Sequence, residues 1–501
     1  MGIYRSRLEG RYSGDTASFV CSLADDARIF EQDIDGTEAH EIMLHEQGLL
    51  TRRELAEILG SLETISGEWV RGRVKLEGDY EDVHELIEAR VIELVGPETG
   101  GKLQLGRSRN DQVGTDIRMR LRADLLATSE AVLSLIGVSL SKADRTKSTL
   151  MLLYTHTQHA QTGTFGHYFL ALAEVLLRDF QRLQDCYDRV NLSPLGAGPI
   201  GGTTVPVNRY RTGQLLGFDG LVYNSIDATS CRDFMVEALA ILANLMVTLS
   251  RVAEDIILWS SSEFGFVELT DEFASVSSIM PQKKNPTVLE LIRAKASRVS
   301  GDLTSILGAL KGLPSGYSSD LQETKPLLWD GSDQALSSVQ VLTKVLSTLT
   351  IHEQRINETT KKSYVFAVDL AERLALEKVL PFRQSHQLVG ALIRDMVSKG
   401  LEPGKLTPEL ICNTATRVLG HGIQVPESMV EDIADPRKGL INRRSQGSPN
   451  PEDVENRLKE LHKLTSEAAA ILSTRRQKLE SSKAELAKTV RQYIEDDDAR
   501  K

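Results

Sequence analysis

The sequence predicts an all-α protein, an elongated central helical bundle flanked by smaller N- and C-terminal helical domains. Three observations predict it. The 15 prolines among 501 residues are absent from 98–193, from 207–280 and from 327–380. Proline breaks helix interiors, so these gaps are where long helices can run. Between Ala228 and Ser262, the residues Phe234, Ala238, Ile241, Leu245, Thr248, Val252, Ile256 and Trp259 recur at spacings of three and four, the helical period. A second stripe, Leu242, Met246, Leu249 and Ala253, lies on another face of the same helix. Apolar surface on two faces implies burial by several neighbours, as at the centre of a bundle. At roughly 1.5 Å per residue this helix would span about 50 Å, long enough that further subunits are expected to complete the bundle.

In chain order, residues 1–105 carry short helical patterns joined by charged connections such as GDYEDVHE and form the expected N-terminal domain. Residues 106–355 hold the long proline-free stretches and form the central bundle. Residues 356–501 form the expected C-terminal helical domain, with shorter patterns past Pro381 and turns at GLEPGKLTP and RRSQGSPNPED. The tail after Arg475 is highly charged and lacks a wide apolar face, which reads as a solvated or frayed helix.

Composition removes several function classes. Lys plus Arg number 59 against 70 Asp plus Glu, a net charge of −11, and an acidic chain is a poor partner for nucleic-acid phosphates. No uninterrupted apolar run reaches the roughly 18 residues of a membrane span, and the N-terminus lacks the apolar stretch of a signal peptide. Met1-Gly2 with Ser6 fits the loose myristoylation template, but no polybasic patch supplies the second membrane signal. Cys21, Cys186, Cys231 and Cys412 lie at least 45 residues apart, which excludes CxxC chemistry and gives no disulfide framework. The cytosol is the expected compartment.

Four polar segments interrupt the helical pattern. GRSRNDQ, Gly106–Gln112, enters a long helix with Arg107, Arg109 and Asn110, groups able to hold carboxylates beside a helix dipole. YTHTQHAQTGTFGHY, Tyr154–Tyr168, contains His156, His159 and His167. Histidine suits proton transfer near neutral pH, and Gly163 and Gly166 suggest close backbone approach. SSIMPQKKNP, Ser277–Pro286, places two hydroxyls and two lysines before Asn285-Pro286, a cap residue followed by proline at the first helical position. Glu290, about one turn on, is placed to orient a histidine from another element. KGLPSGYSSDLQETK, Lys311–Lys325, adds Tyr317, Gln322 and Lys325. A dinucleotide fingerprint, a Walker A pattern and a metal motif are all absent from the sequence. The residues alone therefore fit elimination or hydrolysis of a multiply anionic small molecule, with no cofactor and no metal.

SSIMPQKKNP resembles the signature of the fumarase/aspartase superfamily, whose members cleave C–N or C–O bonds and release fumarate. GRSRNDQVGTD, YTHTQHAQ, PLGAGPIGGTT, NSIDATSCRDF, SSSEFGFVEL and LPSGYSSDLQETK together resemble the argininosuccinate lyase family within it. The likeness runs from about Ser22 to about residue 453. It implies a homotetramer whose active sites are each shared by three subunits, and cleavage of argininosuccinate to arginine and fumarate, the last step of arginine biosynthesis. By motif, Ser277 corresponds to the base and His156, paired with Glu290, to the acid, although older schemes for the family reverse the two. Lys283 and Asn285 would hold the aci-carboxylate intermediate. Ser22, Asn110, Thr155, Tyr317, Gln322 and Lys325 match substrate-binding positions, with Arg109 and Gln158 beside them.

Three positions depart from the family pattern. Val276 stands where glycine or a small polar residue is usual, Thr287 where aspartate commonly follows Asn-Pro, and Gln161-Thr162 where Gln-Pro is usual. None removes a proposed catalytic group. Two other readings share the resemblance, a non-catalytic relative of the lens crystallins and a sibling lyase acting on another succinyl compound. Retention of Ser277, Lys283, His156 and Glu290 speaks against the first, and the Tyr317–Lys325 segment against the second.

Overall fold

The computed structural model describes residues 12–77 and 80–498; the Met1, Gly2 and Ser6 template lies outside the described residues. After two short helices, Gly14–Val20 and Leu23–Asp26, come α1 (Phe30–Glu46), α2 (Arg52–Val70) and α3 (Val83–Val95). Asp82 and Thr51 cap α3 and α2 by accepting the N–H of Glu85 and Glu54. The bundle proper is α4 (Arg109–Arg145), α5 (Phe165–Val190), α6 (Asp233–Ser260), α7 (Thr287–Leu310) and α8 (Thr324–Thr348). An antiparallel hairpin, β1 (Leu150–Thr155) and β2 (Gln158–Thr164), joins α4 to α5. A two-residue ladder, β3 (Ser275–Val276) with β4 (Lys284–Asn285), stands before α7. The all-α expectation therefore holds, with short hairpins confined to the bundle's ends.

Both stripes of α6 are in the core, with only Thr248 half-buried, while Val247 and Leu258 on its remaining face are 51% and 38% exposed. The helix starts later than expected, at Asp233 rather than near Ala228, because Cys231 is extended and separates it from the short helix Ser225–Ser230. Arg232 stabilises that break: its buried guanidinium donates to the Cys231 carbonyl at 2.9 Å, a carbonyl the interrupted helix leaves without an intrahelical partner. Two helices, Arg109–Arg145 and Asp233–Ser260, are long and apolar enough by length and composition to cross a membrane. Their apolar windows are already 61% and 56% buried within this one chain, as befits bundle interiors.

The boundaries differ from the expected ones. One continuous apolar core runs from Leu23 to Val490, joining α1–α3 to the long helices, so the described residues up to 105 share the bundle's core. A second core, Phe366 to Ile433, belongs to helices including α9 (Ala367–Leu376), α10 (Phe382–Ser398) and α11 (Pro408–Leu419). The end of the chain leaves that unit. Helix α12 (Pro451–Asp498) returns along the bundle, with Leu472, Leu486 and Val490 buried and Leu479 and Tyr493 packed beside them. The tail after Arg475 is thus a docked helix. Its apolar positions repeat mostly every seven residues, a seam too narrow to read as a wide face but wide enough to pack. Arg475–Asp188 at 2.7 Å and Arg476–Glu130 at 2.8 Å flank the seam.

Gly166 shows how tightly the hairpin end is built. A methyl there would lie 2.6 Å from Lys147 Cα and 2.8 Å from the Ala143 carbonyl oxygen, backbone atoms that cannot swing away. Gly166→Ala is expected to lower stability by about 1–3 kcal/mol in chemical denaturation, and an unchanged midpoint would refute this close approach.

Candidate active site

Six of the residues carried over as binding groups line one cavity of about 140 Å³: Ser22, Arg109, Asn110, Tyr317, Gln322 and Lys325. Helix starts bring them together. Ser108 caps α4 by accepting the Asn110 N–H at 3.3 Å, while Asp111 accepts the Ser108 N–H at 2.8 Å. This capping box fixes Arg109 and Asn110 on the first turn. Ser22 precedes the short helix Leu23–Asp26, and Lys325 is the second residue of α8.

The cavity carries both signs of charge. Lys325 and Asp26 form an ion pair, 2% and 0% exposed, with Ser22 Oγ donating to Asp26 at 2.7 Å and accepting from Lys325 Nζ at 3.3 Å. Arg109 faces Glu81 at 2.8 Å, Asp82 at 3.3 Å and Glu85 at 3.4 Å. Burial disfavours its charge, but those carboxylates, Asp82 foremost, outweigh burial and raise its pKa. Burial likewise raises the pKa of the Tyr317 hydroxyl, keeping it a neutral donor. Glu81, Asp82, His84 and Ser319 also line this cavity, and sequence reasoning passed over them as a charged connection and a polar loop. The available signal was Asp82 followed three residues later by Glu85, a helix start beside a histidine.

Beneath the cavity, Asp33, His84 and Asp116 bring ligand-type atoms within 4.8 Å of one another, all buried. His84 Nδ1 is 2.9 Å from Asp33 and 3.6 Å from Asp116. Burial works against the imidazolium, but Asp33 outweighs it and raises the His84 pKa. Burial pushes the Asp116 carboxyl well up. Asp33 Oδ1 meets His84 and accepts from Gln112 Nε2 at 2.5 Å, while His84 Nε2, Asp33 Oδ2 and both Asp116 oxygens are buried with no hydrogen-bond partner among the described residues.

The histidine segment opens as a hairpin before α5 begins at Phe165, between Gly163 and His167. His156 and Thr157 form the two-residue turn between β1 and β2, with φ of 52° and 60°. Two non-glycine residues in the left-handed region, one β-branched, store strain of about 1–3 kcal/mol each. Thr155, His156 and Gln158 are all exposed at this tip. His159 Nδ1 instead meets Ser363 Oγ at 2.9 Å, and His167 Nε2 meets the Gly447 carbonyl at 3.0 Å. Of the three clustered histidines, His156 is the one left pointing outward on a strained turn.

The serine segment forms a loop closed by β3 and β4. Ser277 Oγ accepts the N–H groups of Ile279 at 3.3 Å and Met280 at 3.1 Å, and Lys283 is exposed. Asn285 does not cap the following helix. It pairs with Ser275 in the ladder, and Pro286 takes the cap position, so α7 begins at Thr287. Val276 is extended within β3, a conformation β-branched residues favour. Thr287 Oγ1 meets Ser275 Oγ at 2.5 Å and closes the loop's base. Glu290 is exposed, and no hydrogen bond or ion pair joins it to His156 within the chain.

These three groups do not meet in one chain. Helix α7 has the Ser277 loop before its first residue and the Tyr317 segment after its last, and its 24 residues span about 36 Å. Helix α4 separates Arg109 and Asn110 from the His156 hairpin by 37 residues, about 55 Å. The binding cavity lies at one end of the bundle, and the hydroxyl, lysine and histidine groups lie at the other.

A long-helix bundle with a cavity lined by both signs of charge and a serine–lysine loop before α7 is the architecture of a carbon–nitrogen lyase of the fumarase/aspartase type. Comparisons with known proteins narrow the class. A family model described as lyase matches residues 11–301, and one described as argininosuccinate lyase C-terminal matches residues 364–434. An argininosuccinate lyase of Nitrosopumilus maritimus is 42% identical over 98% of this chain and 100% of its own length. One from Methanosarcina acetivorans is 41% identical over 90% of this chain and 91% of its own. Among solved structures, an EDDS lyase in complex with formate superimposes with a TM-score of 0.88 at 32% identity, over 97% of each chain. The chain belongs to the argininosuccinate lyase family.

Proposed function

We propose that this protein, in the cytosol, cleaves argininosuccinate to arginine and fumarate by anti elimination, completing arginine biosynthesis, in a homotetramer whose sites draw on three subunits. The observation that carries the reading is the single cavity lined by Ser22, Arg109, Asn110, Tyr317, Gln322 and Lys325. Argininosuccinate bears three carboxylates, an ammonium and a guanidinium. The cavity answers with both signs of charge: Arg109 beside Glu81 and Asp82, and Lys325 beside Asp26 just behind the lining. Thr155 and Gln158, beside His156, would reach the substrate from a neighbouring subunit.

Ser277 removes the proton from the succinyl carbon. A hydroxyl is a weak base, and the Ile279 and Met280 amides already aimed at its Oγ stabilise the alkoxide, with the Lys283 charge nearby. Lys283 and Asn285 hold the aci-carboxylate as charge develops. His156, oriented by Glu290 of another subunit, protonates the departing guanidino nitrogen. The separation of the groups supports the shared-site tetramer. Because the cavity and the Ser277 and His156 groups lie at opposite ends of α4 and α7, antiparallel partners would bring the missing end, and the exposed Val247 and Leu258 of α6 offer them an apolar face to pack on.

Purified protein added to argininosuccinate should release fumarate, followed by ultraviolet absorbance, with arginine confirmed by mass and no metal or cofactor supplied. The likeness to EDDS lyase gives a second reading, so EDDS is the comparison substrate. Faster release of fumarate from EDDS would overturn the first reading and keep the lyase class.

A further inference from the structure

Asp111 has no part in the chemistry above, yet it is fully buried, directly after the cavity-lining Arg109 and Asn110. It stands on the first turn of α4, next to Asn110. One carboxylate oxygen accepts the Ser108 N–H at 2.8 Å, and the other reaches 87 residues along the chain to accept the Gly198 N–H at 2.7 Å. Gly198 sits at φ +67°, and a methyl on it would come 2.6 Å from the Gly202 carbonyl oxygen. The loop is therefore folded tightly around the carboxylate.

That loop, SPLGAGPIGGTT, has a buried base and an exposed tip at Pro199–Gly201. The tip touches two walls of the cavity. The Pro199 carbonyl accepts from Asn110 Nδ2 at 2.9 Å, which fixes the direction of that amide. Ile200 packs on Gly316, whose Cβ position lies 2.9 Å from Ile200 Cδ1, and Gly316 leads directly into Tyr317. One clamp thus controls a donor on α4 and the segment that carries the tyrosine.

We propose that Asp111 is a positioning residue for substrate binding, which, through its clamp on Gly198, sets the loop that orients Asn110 and supports the Tyr317 segment. The inference rests on the reading of Asn110 and Tyr317 as substrate-binding groups. Burial pushes the Asp111 carboxyl up to about 6, against the Ser108 and Gly198 amides and the Arg107 charge, which pull it down. It is therefore a carboxylate at neutral pH, with both oxygens available as acceptors.

Asp111→Asn is the same size but turns one acceptor into a donor, which must then face the Ser108 or the Gly198 N–H. With folding checked by circular dichroism, KM for argininosuccinate should rise at least about 10-fold while kcat stays within about 3-fold, the pattern of lost uniform binding. Gly198→Ala perturbs the same loop without touching the carboxylate and should give the same split; it carries the test alone if Asp111→Asn does not fold. The double variant should be no worse than the worse single one, because both changes release one clamp. Unchanged KM, additive effects, or a fall in kcat at constant KM would overturn the inference. Wild-type protein that releases no fumarate would instead remove the functional reading on which it rests.

Discussion

His156→Ala will lower turnover by about 10²–10⁴-fold with the fold intact, the scale of losing a general acid. The structure separates this residue from the other histidines of its segment. His159 and His167 bond to Ser363 and to the Gly447 carbonyl, whereas His156 holds a left-handed backbone at an exposed tip. Strain of that kind persists where the surroundings enforce it, and removing the imidazole from a surface turn leaves no cavity behind. Mixing then tests the geometry. If His156 and Ser277 of one site come from different subunits, tetramers reassembled from equal amounts of His156→Ala and Ser277→Ala chains have about a quarter of their sites with both groups intact, on random assortment. Each parent alone would be nearly silent. Recovery near that fraction supports sharing between subunits. Properly mixed tetramers with no recovery would place both groups of a site on one chain.

The central helices were legible because their signal is local: proline-free gaps and two apolar stripes on one segment reach the buried positions of α6 almost residue for residue. The C-terminal helix was not. Leu472, Leu479, Leu486, Val490 and Tyr493 form a narrow seam in a charged sequence, and it becomes sufficient through the helices tertiary packing brings beneath it, α1, α2, α4 and α5 among them. At the site, Arg109 and Asn110 were legible as a cation and an amide at a helix start, and Lys325 as a cation of a polar loop, although it stands in the first turn of α8. Asp26 was not, since its importance lies in a buried contact with Lys325 across 299 residues. Gly163 and Gly166 were legible as points of close approach, and they pack against Leu153 and against Lys147 beside the start of α5 at Phe165. The His156 turn was not legible, because it has no glycine to announce it. Asn285-Pro286 failed as a cap signal because the ladder with Ser275 competes for the same backbone.

Asp26→Ala should destabilise the protein by about 3–5 kcal/mol, the cost of leaving a buried charge without its partner. Lys325 is 2% exposed, and without Asp26 its ammonium keeps, among the described residues, the hydrogen bond to Ser22 Oγ at 3.3 Å. Ser22 loses an acceptor in the same step, so two buried polar groups suffer from one substitution. Urea unfolding monitored by fluorescence measures the loss, and a change below about 1 kcal/mol, the level of an exposed pair, would mean the pair is far better solvated than its burial implies. The double variant Asp26→Asn/Lys325→Met separates stability from function. Replacing a buried ion pair by neutral groups of similar size is often tolerated, so most of the stability should return. Activity should not, because the ammonium that would meet a substrate carboxylate is gone while the cavity walls remain. A double variant that regains both would demote Lys325 to a purely structural group and leave Arg109 as the cavity's only anion-binding cation among the carried-over positions.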